Sequence, residues 1–249
     1  MLRKLLFITM LFFVSVCNAA GLKDGEYLLF DIRYGLVSAA EASLELKSVQ
    51  YQGQAVWQIA SNAKTYSFFD VFFRVRDRVE SLWSKDKMLP LRFTKNLEEG
   101  KYRQFRIHAF DHQKLKTEYQ KWDYKANRWN NTILDFPKGT QDVLSAFYLV
   151  RTMDLSPGKS VFVNITTDGR SLDTEVVVHR KETITSIFGK KECLVIEPRL
   201  AGEGVFKQSG RIWIWITNDA HKVPLKMKSQ ITFGSFIAEL KSARNTGLN

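Results

Sequence analysis

The chain has 249 residues, 37 Lys and Arg against 26 Asp and Glu, a formal charge of +11, and 45% hydrophobic and 13% aromatic residues. Its two cysteines, Cys17 and Cys193, exclude a disulfide-stapled scaffold. Beyond the first twenty residues no window approaches the ~20 apolar residues of a spanning helix, so the length suits one large β domain or two small domains.

The chain opens with Met1-Leu2-Arg3-Lys4, an apolar run from Leu5 to Val16, and Cys17-Asn18-Ala19-Ala20. A basic start, a short apolar run and small residues at a cleavage point describe a secretory signal peptide, here 1–19 with Cys17 and Ala19 at the cleavage positions. A lipoprotein signal fits less well, because Val16 precedes the cysteine. Cleavage removes Arg3 and Lys4 and leaves a formal +9. It also leaves Cys193 without a partner, in the strand-like run Glu192 to Ile196, where it reads as a small buried hydrophobe. The expected location is the periplasm, with no transmembrane span after cleavage.

From there period-two alternation dominates. Strands are expected at 27–34, 40–49, 55–60, 77–83, 91–96, 102–110, 114–124 and 128–134, separated by polar or Gly-containing turns. In the second, Ala40, Ala42, Leu44 and Leu46 share a face. Between 60 and 77 lies the most apolar stretch, Phe68-Phe69-Asp70-Val71-Phe72-Phe73. It fits a helical face, a buried strand or an ordered loop, and it reads either as core or as a greasy wall over a cavity. Arg74, Arg76 and Arg78 follow on one strand face, as a solvated stripe or as a contact for anionic head groups, lipopolysaccharide or acidic glycans.

The alternation breaks at 140–153, bounded by Pro137-Lys138-Gly139 and Ser156-Pro157-Gly158. Val143, Leu144, Phe147, Tyr148 and Arg151 recur at helical spacing, with Thr140 as N-cap and Asp142 at the positive end of the dipole. Strands resume at 160–166 and 173–181 around an Asp168-Gly169 turn, then at 182–188 and 192–198 around 189–191. The last three are 210–217, 225–233 and 235–242. A weak repeat relates Trp83…Asp86…Leu89-Pro90-Leu91-Arg92 to Trp215…Asp219…Val223-Pro224-Leu225-Lys226, dividing the domain of 20–249 into halves of about 24–136 and 159–242 joined by the helix.

Chemistry-bearing motifs are scarce. His108, His112, His179 and His221 show no zinc spacing, and the strand carrying His108 ends in a turn at Asp111-His112, which should make the first two diverge. There is no G-x-S-x-G, no catalytic-cysteine signature and no phosphate-cradling loop; Gly202-Glu203-Gly204 reads as a short turn. No metal, cofactor, nucleic acid or catalytic residue is expected.

The pieces Gly25-Glu26-Tyr27-Leu28, Tyr34 to Ala42, Asp77-Arg78-Val79-Glu80-Ser81, Asp142 to Arg151 and Ile214 to Asp219 together resemble the domain of unknown function 3108 family of exported proteins. The Asp-Val-Leu-Ser-Ala-Phe-Tyr stretch is the most specific of them. The Trp, Asp, Leu-Pro-Leu-Arg unit is distantly similar to periplasmic lipoprotein carriers, whose half-barrels hold acyl chains under a helical lid. The expected fold is therefore mainly β, a large antiparallel sheet curved into a barrel or half-barrel with one packed α-helix. The expected function is non-enzymatic binding of a lipid, acyl chain or lipoprotein, with Phe68, Phe69, Phe72, Phe73, Phe147 and Tyr148 as lining. The alternative is an envelope interaction protein that meets a protein partner through its outer surface.

Overall fold

The structure, a computed structural model, describes residues 21–200, 210–230 and 234–248. The expected signal peptide and the Gly202-Glu203-Gly204 turn lie outside them. Among the described residues there are fourteen strands and two helices: β1 Glu26–Tyr34, β2 Val37–Tyr51, β3 Gln54–Thr65, α1 Ser67–Asp70, β4 Arg76–Ser84, β5 Pro90–Glu99, β6 Tyr102–Asp111, β7 Lys116–Asp123, β8 Arg128–Asp135, α2 Val143–Thr152, β9 Ser160–Thr167, β10 Arg170–Ser186, β11 Gly189–Leu200, β12 Arg211–Thr217, β13 Pro224–Gln230 and β14 Ser235–Arg244. All strands form one antiparallel sheet in the order β8-β7-β6-β5-β4-β3-β2-β1-β14-β13-β12-β11-β10-β9.

That order has a simple logic. The chain starts mid-sheet, steps outward hairpin by hairpin to the β8 edge, and crosses through α2 to the opposite edge, β9. It then steps back until β14 pairs with β1, Tyr27 opposite Arg244 and Tyr34 opposite Phe236. Sequence neighbours account for every other pairing. The edges β8 and β9 do not pair, so the sheet stays open. Gln141 instead makes a one-residue parallel bridge to Ile165, covering part of the β9 edge, which would otherwise invite a foreign strand.

Sheets of this length curl because each strand is rotated against the last. Helix α2 lies in the concavity and touches opposite walls at once. Ala146 and Val150 pack with Val163, Val176, Val178, Leu194, Ile196 and Ile216. Tyr148 packs with Leu22, Leu46, Ile59, Trp83 and Met88. Buried Trp83 alone accounts for about 3–5 kcal/mol against truncation to Ala.

Several expectations need correction. The strands expected at 173–181 and 182–188 are one strand, β10, with a bulge between Val178 and Arg180. The polar Arg180-Lys181-Glu182 cluster suggests a turn, but it keeps its ladder with Val195, Leu194 and Cys193. The hairpin therefore turns at 187–188 rather than 189–191. The cap of α2 is Asp142, whose carboxylate accepts from the N–H groups of Leu144 and Ser145, while Ser145 answers as the other half of a capping box. Thr140 instead bonds Thr166 through its hydroxyl. The stretch around Phe68 forms only the single turn α1, with no buried residue.

The two proline-led turns are alike in detail. Ser84 N–H donates to Leu89 C=O, and Thr217 N–H donates to Val223 C=O. Met88 and Lys222 both take positive φ just before the strand. Pro90 and Pro224 each enter beside a bulge, between Leu82 and Trp83 in one case and Trp215 and Ile216 in the other.

Candidate functional site

Two concavities of similar volume stand out: a polar one of about 370 Å³ beside Glu41, Asn62, Arg76 and Arg78, and an apolar groove of about 360 Å³ between α2 and the inner sheet face. β1 contributes Phe30 and Ile32, and β2 contributes Ala42 and Leu44. The far wall is Val163 and Ile165 of β9, Val176 of β10, Ile196 and Pro198 of β11, and Ile212 and Ile214 of β12. The roof is one face of α2, with Val143, Leu144, Ala146, Phe147 and Val150. Among the described lining residues the polar exceptions are Ser43, Ser61, Thr174 and Lys226. Small side chains keep the space open, with Ala42, Ala146, Ala238 and Ser61 standing where larger residues would fill it.

The other face of α2 is held by buried polar groups. Arg151 donates two parallel bonds of 2.7 Å to the carboxylate of Glu26. The Tyr148 hydroxyl adds a third at 3.1 Å, and Arg151 also reaches His221 C=O. Glu26, Tyr148 and Arg151 are all buried. Burial, and next the neighbouring Glu26 charge, raise the Tyr148 pKa well above its usual value, so the phenol stays a donor. For Arg151 burial works against the charge, but the Glu26 bonds prevail and the pKa is raised. At the helix start Asp142, also buried, accepts from Ser81 at 2.6 Å. Burial lifts its pKa to about 6 despite bonds from Ser81, Ser145 and Leu144. Gln141 joins the Trp83 indole N–H to Met88 C=O.

The residues singled out from the sequence do not converge. Phe147 lines the groove. Tyr148 faces Glu26 and the packed Trp83 cluster instead. Phe68, Phe72 and Phe73 are 70%, 74% and 56% exposed, and Phe69 is half-buried against Phe68. None of the four lines the groove. A single turn with Asp70 tied down at its end offers no interior face for four phenylalanines. Of the arginines, Arg76 is clamped to Asp70 and Arg78 bonds Glu80 and Asn62, so these two mainly serve ion pairs. Arg74 is exposed two residues before β4, and its C=O accepts from Gly100 N–H.

A second contact ties the two halves. The Asp168-Gly169 tip of the β9–β10 hairpin sits on β5–β7. Lys95 pairs with Asp168 at 2.5 Å, and Gly169 N–H donates to His108 Nε2 at 3.3 Å. Gly169 has φ +81°, and a side chain there would meet the Tyr119 ring at 2.8 Å. His108 and His112 do not diverge as expected; both stack on Phe110, which lies between them. Burial drives the His108 pKa down to about 4. Cys193 is buried and its thiol pKa is pushed up to about 11 by burial, then by Asp219, Glu182 and Glu192. Among the described residues no group of three metal-ligating side chains comes together.

The chain belongs to the family described as protein of unknown function (DUF3108), whose model matches residues 29–241. No curated protein matches it in sequence. Among solved structures it is similar to a beta-barrel-like protein of domain of unknown function DUF1849 from Brucella abortus, at 12% identity and TM-score 0.59, covering 88% of this chain and 97% of that one. It also matches a putative exported protein with YmcC-like fold from Bacteroides fragilis NCTC 9343, at 10% identity and TM-score 0.33, over 89% and 96% of the two chains. The first likeness supports the barrel-like fold. Among the described residues no helix is long and apolar enough to cross a membrane.

Proposed function

We propose that this DUF3108 protein is a non-catalytic binder of an apolar chain, such as a lipid acyl chain, and that it works in the periplasm after export. The observation that carries the reading is the groove under α2: about 360 Å³ of space with an almost wholly apolar lining. Ligand pockets of this chemistry span roughly 300–1,000 Å³, and 360 Å³ suits a slender chain better than a bulky ring system. Water gains little from such a lining, and filling it removes apolar surface at about 25 cal/mol per Å². Lys226, the one cation among the described lining residues, is paired with Glu239 at 3.2 Å, so the groove offers an occupant apolar contact rather than charge.

The test is titration of the purified protein with a fluorescent fatty acid, alongside lipid extraction and mass spectrometry. Wild type should bind the probe. Ala42→Trp, which fills the groove from β2, should abolish binding while thermal unfolding stays cooperative. Equal probe binding by wild type and Ala42→Trp, or none by either with no extractable lipid, refutes the reading.

A further inference from the structure

The strand register puts a set of exposed apolar residues at one end of the sheet. β1 ends at Tyr34 and β2 begins at Val37, so the Gly35-Leu36 turn projects there. β3 ends and β4 begins at the same end, since Ala40 pairs with Thr65 and Lys64 with Arg76; α1 is the connection between them. The β5–β6 turn joins them, with Gly100 against the Phe73 ring. Leu36 is 97% exposed and Val37 55%, while Phe68, Val71, Phe72 and Phe73 are 56–82% exposed.

The groove reaches the same end. Ile212 pairs with Ser229, Ser229 with Phe236, and Phe236 with Tyr34, so the upper lining is level with the start of the Leu36 turn.

We infer that this end docks on the surface of a lipid bilayer bearing anionic head groups, with the Leu36 turn and α1 dipping into the interface. Three observations favour a bilayer over a protein surface or a second copy. The apolar residues sit on separate projecting tips, which suits a fluid surface better than a flat complementary one. The carboxylates beside them are engaged: Asp70 by Arg76 and Thr65, Glu239 by Arg33 and Lys226, Asp31 by Tyr66 and Ser38, and Glu98 lies 3.8 Å from Arg103. The exception is Glu99, which faces Asp77 rather than a cation. Arg74 and Lys101, next to Phe73 and Gly100, are exposed cations with no such carboxylate bond among the described residues. Apolar tips flanked by cations match the layering of an anionic bilayer, charge outside and hydrocarbon within. Docking stands without the groove's ligand, but its use as the entry side of that groove rests on the reading above.

The experiment is flotation of the purified protein with vesicles of phosphatidylcholine alone and of phosphatidylcholine with phosphatidylglycerol. Wild type should float with the mixed vesicles and lose affinity as salt rises. Leu36→Asp and Phe72→Asp should each lower affinity about tenfold or more, since each withdraws a largely exposed side chain from the interface. Arg74→Glu with Lys101→Glu should remove the preference for phosphatidylglycerol. Both aspartate variants should unfold in urea as wild type does, which verifies their fold independently of what the groove binds. No flotation of wild type, or equal flotation by the aspartate variants, overturns the proposal. So does a concentration-dependent dimer in sedimentation that the same substitutions abolish, because that assigns the tips to a second copy. Loss of probe binding in the wild type with flotation intact would reject the groove reading and leave docking standing.

Discussion

Replacing Asp142 with Asn tests how α2 is anchored, because it removes a buried titrating group and so changes the pH dependence of stability. Asp142 is buried and its pKa is raised from 3.8 to about 6. Between those values the folded protein holds a proton that the unfolded chain has released. The stabilisation is therefore full below pH 3.8 and is lost as pH rises through 6. Two units correspond to about 3 kcal/mol over the whole range. His108 works in the opposite sense. Its pKa falls from 6.5 to about 4, so its contribution is present above 6.5 and is lost as pH falls through 4, again by about 3 kcal/mol. The geometry agrees, because His108 Nε2 accepts from Gly169 N–H and a protonated ring could not. Across roughly pH 4–6 the two nearly cancel, and wild-type stability should be nearly flat as far as these groups govern it. The substituted asparagine keeps an oxygen for the Leu144 and Ser145 N–H groups and can donate to Ser81 Oγ, but it does not titrate. Taken from about pH 7 to about pH 4.5, Asp142→Asn should lose about 2 kcal/mol more than wild type. Urea unfolding followed by tryptophan fluorescence across that range gives both curves. Parallel curves for the two proteins would refute the argument.

Two further outcomes bear on the core and the exposed tips. Glu26→Gln should destabilise by about 3–5 kcal/mol, because it strands the Arg151 guanidinium in a buried site; a calorimetric Tm within a degree or so of wild type would contradict this. Phe72→Ala should change stability by less than about 0.5 kcal/mol, whereas Trp83→Ala should cost about 3–5 kcal/mol; equal losses in urea would place α1 in the core after all.

The strands were legible because half-buried sheet residues alternate, as in Ala42, Leu44 and Leu46 against Ser43 and Glu45. Helix α2 was legible because it is the one place where period two gives way to helical spacing. The sheet order was not legible. Pairing β1 with β14 joins segments about two hundred residues apart, through contacts such as Arg33–Glu239 and Tyr34–Phe236 that no local pattern announces. Apart from Phe147, the lining of the groove was not legible for a related reason. Its clearest signal is an absence of bulk at Ala42, Ser61, Ala146 and Ala238, spread over three strands and a helix. The phenylalanines around Phe72 misled because apolar composition alone suggests burial, while burial also needs a neighbouring surface, and a one-turn connection at the sheet end has none on its outer side.

The Asp142 to Arg151 stretch divides into two interleaved sets. Asp142, Ser145, Tyr148 and Arg151 recur every three residues, and all four bond to Ser81, to the cap or to Glu26. Val143, Ala146, Phe147 and Val150 fall between them and line the groove. Helical geometry requires this split, since residues three apart share a face and those between point elsewhere. The anchoring set includes the Glu26–Arg151 pair, whose separation leaves the buried Glu26 carboxylate without its cation. Lifting α2 as a hinged lid would break that pair at a cost of about 3–5 kcal/mol, with the lost packing of Ala146 and Val150 added to it. A route that leaves α2 in place costs none of this. An occupant of the groove is therefore expected to enter past the Leu36 turn at the open end of the sheet, with the helix acting as a fixed roof.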